Sequence, residues 1–219
     1  VYLIALILGI VLPAGAVNLK ESFNNVILSK KEIEEGSGVS VFGEIGMKPK
    51  EMKDNIVDMK SISFLAEQFR SLRTNLQYAA GGVNIDGRGK AILLTSSIGG
   101  EGKSFVSINL TASIALLDKK VIVLELDLRK PRVSEYLGVS REIGISNYLV
   151  GQVTLEEIIK QSNLYHNMYV LPSGPIPPNP SELLSNGRIG VLIEELRKQF
   201  DYVVLDTPPV GLVTDSTIL

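Results

Sequence analysis

Cysteine is absent from this chain of 219 residues, which excludes disulfides and thiolate metal sites and fits a reducing compartment. Histidine occurs once, as His166, in a polar loop where it reads as a solvated bystander. Neither sign of charge is in excess. The 22 Lys and Arg residues face 24 Asp and Glu, a net charge of −2, so nothing signals nucleic acid or another polyanion. No internal repeat or low-complexity tract stands out. What is there is 45% hydrophobic residues, enough for a buried core, and a length that suits one domain plus appendages.

The richest stretch is Ser96-Ser97-Ile98-Gly99-Gly100-Glu101-Gly102-Lys103-Ser104-Phe105, directly after the buried-strand pattern Ala91 to Thr95. Strand, glycine-rich turn and helix together cradle nucleotide phosphates, because glycines let backbone N–H groups close on the anion and the helix N-terminus adds partial positive charge. In such a loop Lys103 reaches the β- and γ-phosphates and Ser104 offers its hydroxyl to Mg²⁺. Ser97 stands where the strict pattern has its first glycine. Two more buried strands end in acids: Val121 to Leu124 runs into Glu125-Leu126-Asp127-Leu128-Arg129-Lys130-Pro131, and Tyr202 to Leu205 into Asp206-Thr207-Pro208-Pro209. Glu125 and Asp127, two apart, are expected on one side of their strand. Parallel α/β sheets gather ligands outside the carboxyl ends of their strands. Lys103, Ser104, Glu125, Asp127 and Asp206 therefore meet at one rim, a sensible set for a metal–nucleotide complex.

Around this site the chain alternates strand and helix. Helices are expected over Lys103 to Leu117, near Val133–Leu137, Leu155–Gln161 and Ser181–Leu184, and from Arg188 to Phe200, with a further strand over Met168 to Leu171. The fold class is α/β, P-loop NTPase-like, a mostly parallel sheet with helices on both faces. It is preceded by an apolar run, Val1 to Val17, about 26 Å long as a helix against a hydrocarbon core of about 30 Å. The run is expected to be the C-terminal part of a transmembrane helix. Ala14-Gly15-Ala16 also suits a signal-peptide cleavage site, but an ATP site belongs in the cytosol, and Lys20, Lys30 and Lys31 follow the run. The expected division is a membrane segment over 1–19, a juxtamembrane segment and linker over 20–60, and a nucleotide domain over 61–219 that is C-terminally incomplete. Within the juxtamembrane segment, 20–35 suits a helix, Val39 to Ile45 a short strand, and Lys48 to Asp58 a linker. Ser63 to Leu76 reads as an amphipathic helix with Leu65, Phe69, Leu72 and Leu76 on its apolar face. Glu67, Arg70 and Arg73 line one side of it.

These motifs together resemble the bacterial tyrosine kinases (BY-kinases) fused to polysaccharide copolymerases in capsule and exopolysaccharide export. The glycine loop and the strands ending Glu-x-Asp-x-Arg-Lys-Pro and Asp-Thr-Pro-Pro are similar to that family's three nucleotide motifs. Glu67-x-x-Arg70-x-x-Arg73 is similar to its oligomerisation motif, and Asn179-Pro180-Ser181-Glu182-Leu183-Leu184 to its proline-loop signature. The resemblance covers essentially the whole chain. It departs at Glu125, where the family usually has Asp, and in lacking the C-terminal tyrosine cluster.

The resemblance implies an autophosphorylating, ATP- and Mg²⁺-dependent protein-tyrosine kinase at the bacterial inner membrane, with a cytoplasmic kinase domain. Gly99, Gly100, Glu101, Gly102, Lys103, Ser104 and Phe105 would hold the nucleotide, and Ser104, Asp127 and Asp206 the metal. Lys103, Glu125, Asp127 and Arg129 would serve transfer. Glu125 and Asp127 share the metal shell and the tyrosine proton, with Glu125 the favoured base; Arg129 would stabilise charge or anchor its loop. Glu67, Arg70 and Arg73 would join copies into a ring. The implied partners are the polysaccharide export machinery and a tyrosine phosphatase, with no nucleic acid. Two rivals stand beside this reading. MinD/ParA ATPases share the fold but carry a lysine where this chain has Ile98, and a nucleotide-binding regulatory module would lack kinase activity altogether.

Overall fold

The computed structural model describes residues 2–22, 27, 29–52, 54–79 and 87–211 and divides into two units, Val1–Phe42 and Gly43–Leu219. In the first unit the apolar run forms α1 (Tyr2–Ser22), and a second helix follows, α2 (Lys30–Ser37). Ser29 caps α2 by accepting from the Glu32 N–H at 3.3 Å, and Gly38, left-handed at φ 70°, closes it. The single helix expected over 20–35 is thus the end of α1 and the start of α2, with residues 23–26 and 28 outside the described set. Among the described residues no helix is long and apolar enough to cross a membrane.

The strand expected at Val39–Ile45 does not form. Backbone donors there and just beyond go to side chains instead of a neighbouring strand. The Val41 N–H binds Glu34 at 3.0 Å, and within the second unit the Gly46 N–H binds Gln68 at 2.8 Å. The expected linker is also more than a linker. Val57 and Met59 are buried in the core of the second unit, and Asn109 grips this segment by accepting from the Val57 N–H (2.7 Å) and donating to the Asn55 carbonyl (2.9 Å). Two apolar residues among charged neighbours carry too little periodicity to announce this packing.

Next come α3 (Phe64–Ala79), β1 (Lys90–Leu94), α4 (Lys103–Ala115), β2 (Val121–Glu125), α5 (Val133–Leu137), α6 (Ile145–Leu149) and α7 (Leu155–Ile158). The described part ends with β3 (Lys160–Gln161), β4 (Met168–Leu171), α8 (Pro180–Leu184), α9 (Arg188–Gln199) and β5 (Tyr202–Asp206). The strands make one sheet in the order β1-β5-β2-β4-β3, parallel except for β3. β2 shows why four apolar residues run together: Val121 and Val123 face a core shared with α3, α4 and α5, while Ile122 and Leu124 face one shared with α6 to α9. α3 docks through Phe69, fully buried and edge-on to Phe105 at 5.8 Å between ring centroids. The helix expected to reach Gln161 stops at Ile158, because Ile159 is extended, and Lys160–Gln161 pairs with β4 instead. α6 has no counterpart among the sequence-based expectations.

Candidate active site

One cleft of about 650 Å³ opens at the carboxyl end of the sheet, between the loop before α4 and the segment from Asp127 to Tyr136. Gly100 and Gly102 in the loop are left-handed, at φ 93° and 90°, a conformation costly for any side chain. They turn the chain so that the first N–H groups of α4 end at the cleft without intrahelical partners. The Glu101 carboxylate does not line the cleft; it accepts from the Ser97 and Ile98 N–H groups at 2.8 and 3.3 Å and braces the loop. The loop's start is pinned to the chain after β5, through Val210 N–H to Ser96 and Gly211 N–H to Ser97 (2.9 and 3.0 Å).

Below the loop lies Asp206, fully buried at the end of β5. Lys103 Nζ donates to it at 2.7 Å, Ser104 Oγ at 2.9 Å and Ser107 Oγ at 2.8 Å. Burial raises the Asp206 pKa above the ordinary carboxylate value, and Lys103 followed by the serines offsets only part of the rise. The sequence motifs group Lys103, Ser104 and Asp206; Ser107, one turn on along α4, carries no motif signal. Among the described residues no cluster of three acids or histidines is prebuilt for a metal. The donor set still suits Mg²⁺, which takes one or two carboxylates and completes its shell with phosphates and water. The Ser104 hydroxyl and Asp206 already meet, and Asp127 lines the cleft.

The two acids after β2 part company. β2 ends at Glu125, and the next two N–H groups, of Leu126 and Asp127, both donate to the Asp206 carbonyl at 2.9 and 3.1 Å. Strand alternation has lapsed there, so spacing by two no longer puts both acids on one side. Asp127 reaches the cleft, its Oδ1 accepting from the Arg129 and Lys130 N–H groups at 3.2 and 3.0 Å. Glu125 does not reach it. Its carboxylate is fully buried and accepts from the Ser134 N–H (3.0 Å), the Ser134 hydroxyl (2.8 Å) and the Ser173 N–H (3.0 Å). The expectation that Glu125 stands beside Asp127 at the rim is corrected on that geometry. A base must come within about 3 Å of the proton it takes, and this carboxylate is enclosed.

Arg129 lines the cleft and donates to Ser181 Oγ at 2.6 Å, which ties the proline-loop helix α8 to the site. Lys130, Arg132, Glu135 and Tyr136 complete that wall, with Arg132 paired to Glu135 at 2.7 Å. Arg132, Glu135 and Tyr136 carried no motif signal. The residues expected to join copies are engaged within the chain. Arg70 pairs with Glu67 and donates to the Met59 carbonyl at 3.1 Å, and Arg73 donates to the Ser113 carbonyl at 2.7 Å. Burial, then the charge of Arg70, lowers the Arg73 pKa.

Residues 89–219 match the AAA domain family. The chain is 38% identical over 169 residues to the tyrosine-protein kinase YwqD of Bacillus subtilis (strain 168), covering 77% of this chain and 69% of that one. It is 32% identical over 231 residues to the tyrosine-protein kinase wzc of Salmonella typhi, covering 98% of this chain but 31% of that longer protein. Among solved structures, the kinase domain of the Escherichia coli tyrosine kinase ETK superposes with a TM-score of 0.75 at 30% identity, over 87% of this chain and 76% of that one. The septum site-determining protein MinD of Pyrococcus horikoshii, complexed with Mg-ADP, reaches a TM-score of 0.52 at 27% identity, over 59% of this chain and 53% of its own.

Proposed function

Since the chain belongs to the family of bacterial tyrosine kinases, we propose that it transfers the γ-phosphoryl group of ATP to tyrosine, its own included, in capsule or exopolysaccharide production. The observation that carries the reading is one cleft joining the glycine turn of α4 to an acid and a basic wall. Phosphoryl transfer asks a protein mainly for positioning and charge neutralisation. The α4 N-terminus and Lys103 hold the phosphates, with Lys103 exchanging Asp206 for the nucleotide. Ser104, Asp206 and Asp127 would hold Mg²⁺, which when bound would neutralise phosphate charge. Asp127 orients the tyrosine hydroxyl and accepts its proton as the Oη–P bond forms and the bond to the β–γ bridging oxygen breaks. Arg129 offsets charge on the moving group. The MinD-type reading is disfavoured by Ile98 and by the weaker superposition.

The apolar run of α1 and the lysines after it support a place at the bacterial cytoplasmic membrane, with the kinase unit on the cytosolic side. Arg70 and Arg73 pin α3 to its own unit, so alanine at both would loosen α3 before it tested any ring. Self-assembly is better read on the Glu67 side chain, 55% exposed.

The deciding experiment is [γ-³²P]ATP labelling of the full-length protein in membranes with phosphoamino-acid analysis, beside Lys103→Met. Phosphotyrosine that vanishes in the variant is the expected result. Nucleotide binding without phosphotyrosine in the unaltered protein would sink the reading in favour of a regulatory module.

A further inference from the structure

We propose that Glu125 is a positioning residue: from inside the fold it fixes the wall of the cleft that receives the acceptor tyrosine, and it takes no proton from substrate. The inference rests on the kinase reading for the reaction whose rate it sets, but the contact itself does not depend on that reading.

The three donors to Glu125 come from two separate segments, α5 and the loop after β4. α5 is five residues long, and Arg132 at its start offers no side-chain cap. The Ser134 N–H is among the orphan donors of the first turn. Glu125 supplies the missing cap from a neighbouring strand, taking both the Ser134 N–H and its hydroxyl. Around that turn Val133 and Leu137 face the core, Arg132 and Glu135 line the cleft, and Tyr136 packs against the core while also lining the cleft. Fixing Ser134 therefore fixes the direction of all three cleft residues.

The third donor, the Ser173 N–H, opens the long loop after β4. Its peptide is held on both sides, since the Ser173 carbonyl accepts from the Ser146 N–H at 2.9 Å. That loop leads to α8, where Ser181 holds Arg129. One buried carboxylate thus anchors α5 directly and the approach to the Arg129 contact indirectly.

A carboxylate is acceptor-only, and all three partners are donors. Glutamine fits badly whichever way its amide is turned, because the nitrogen would face the Ser134 N–H at one oxygen or the Ser173 N–H at the other. Unpaired donors buried together weaken the tie without removing the side chain.

The test compares Glu125→Gln, Ser134→Ala and Asp127→Asn in the full-length protein. The readouts are affinity for a fluorescent ATP analogue, the pH profile of tyrosine phosphorylation, and hydrogen exchange over residues 132–138. Glu125→Gln is expected to keep nucleotide affinity within about threefold while transfer falls about 10- to 100-fold, the scale of a small misplacement. It keeps the acidic limb of the pH profile and speeds exchange over 132–138. Ser134→Ala, which removes one bond of the three, moves the same way by a smaller step. It carries the test if the glutamine variant does not fold. Asp127→Asn loses the acidic limb with exchange unchanged. Loss of the acidic limb in Glu125→Gln with exchange unchanged would make Glu125 the base and overturn the proposal, as would a Glu125→Gln protein identical to the parent. Absence of phosphotyrosine in the unaltered protein would defeat the kinase reading alone; the exchange measurement would still decide whether Glu125 holds α5.

Discussion

The two walls of the cleft are organised by neighbouring buried acids that are satisfied in different ways. Glu125 and Asp206 are register partners on adjacent parallel strands, and both are fully buried. Asp206 is met by the side chains of Lys103, Ser104 and Ser107, and Glu125 by two backbone N–H groups and one hydroxyl. Side chains can swing to a ligand and return. Backbone donors cannot leave without moving a helix or a loop. The wall built on the loop before α4 is therefore exchangeable and the wall built on α5 fixed, although a buried acid at a strand end is common to both.

Replacing Lys103 with Met should break this comparison most severely. Phosphotyrosine should disappear, and Asp206 should be left buried without its cation. Loss of one partner from such a pair costs about 3–5 kcal/mol, and proton uptake by Asp206 keeps the loss near the lower figure. Urea denaturation of the variant measures it, and Lys103→Met with Asp206→Asn should recover most of the stability. Asp127→Asn comes next, with transfer slowed by about 10²- to 10⁴-fold, as a quenched-flow assay would report.

A smaller effect concerns pH. The folded pKa of Asp206 lies above its unfolded value of 3.8, so between the two the native state binds more protons. Nucleotide-free protein should then lose stability from this group as pH rises through that window and stay level above it. Melting curves of the parent minus those of Asp206→Asn should show the slope; a difference independent of pH would mean that the carboxylate is not raised. Least of all, Ser181→Ala should lower transfer only about two- to fivefold, since a single bond to a cation at an exposed site is lost. A much larger loss would mean that Arg129 depends wholly on α8.

The wall built on the loop before α4 was legible in the sequence because its parts are contiguous and stereotyped. A glycine turn needs left-handed backbone at Gly100 and Gly102, and a helix start puts Lys103 and Ser104 beside it. The strand pattern likewise located β1, β2, β4 and β5; β2 and β5 run apolar because they are buried on both faces, whereas β1, expected to be buried, is only half-buried. The wall built on α5 departs from expectation at Glu125 because strand alternation ends at Glu125, two residues before Asp127. Arg132, Glu135 and Tyr136 were not foreseen, since nothing in a five-residue helix shows which side meets a cleft. Val57 and Met59 were hidden by charged neighbours, and the spacing that lines up Glu67, Arg70 and Arg73 does not show that Arg70 and Arg73 also reach the Met59 and Ser113 carbonyls.

Local covalent geometry and burial period are properties of the chain itself, so sequence alone determined the α/β fold, the phosphate loop and the family. Which acid faces the cleft, which is sealed behind it, and which arginines are already engaged were decided only by tertiary structure. A hydrogen bond between residues far apart in sequence, such as the one from the Ser173 N–H to Glu125, leaves no period or motif in the chain; it exists only once β2 and the loop after β4 lie side by side.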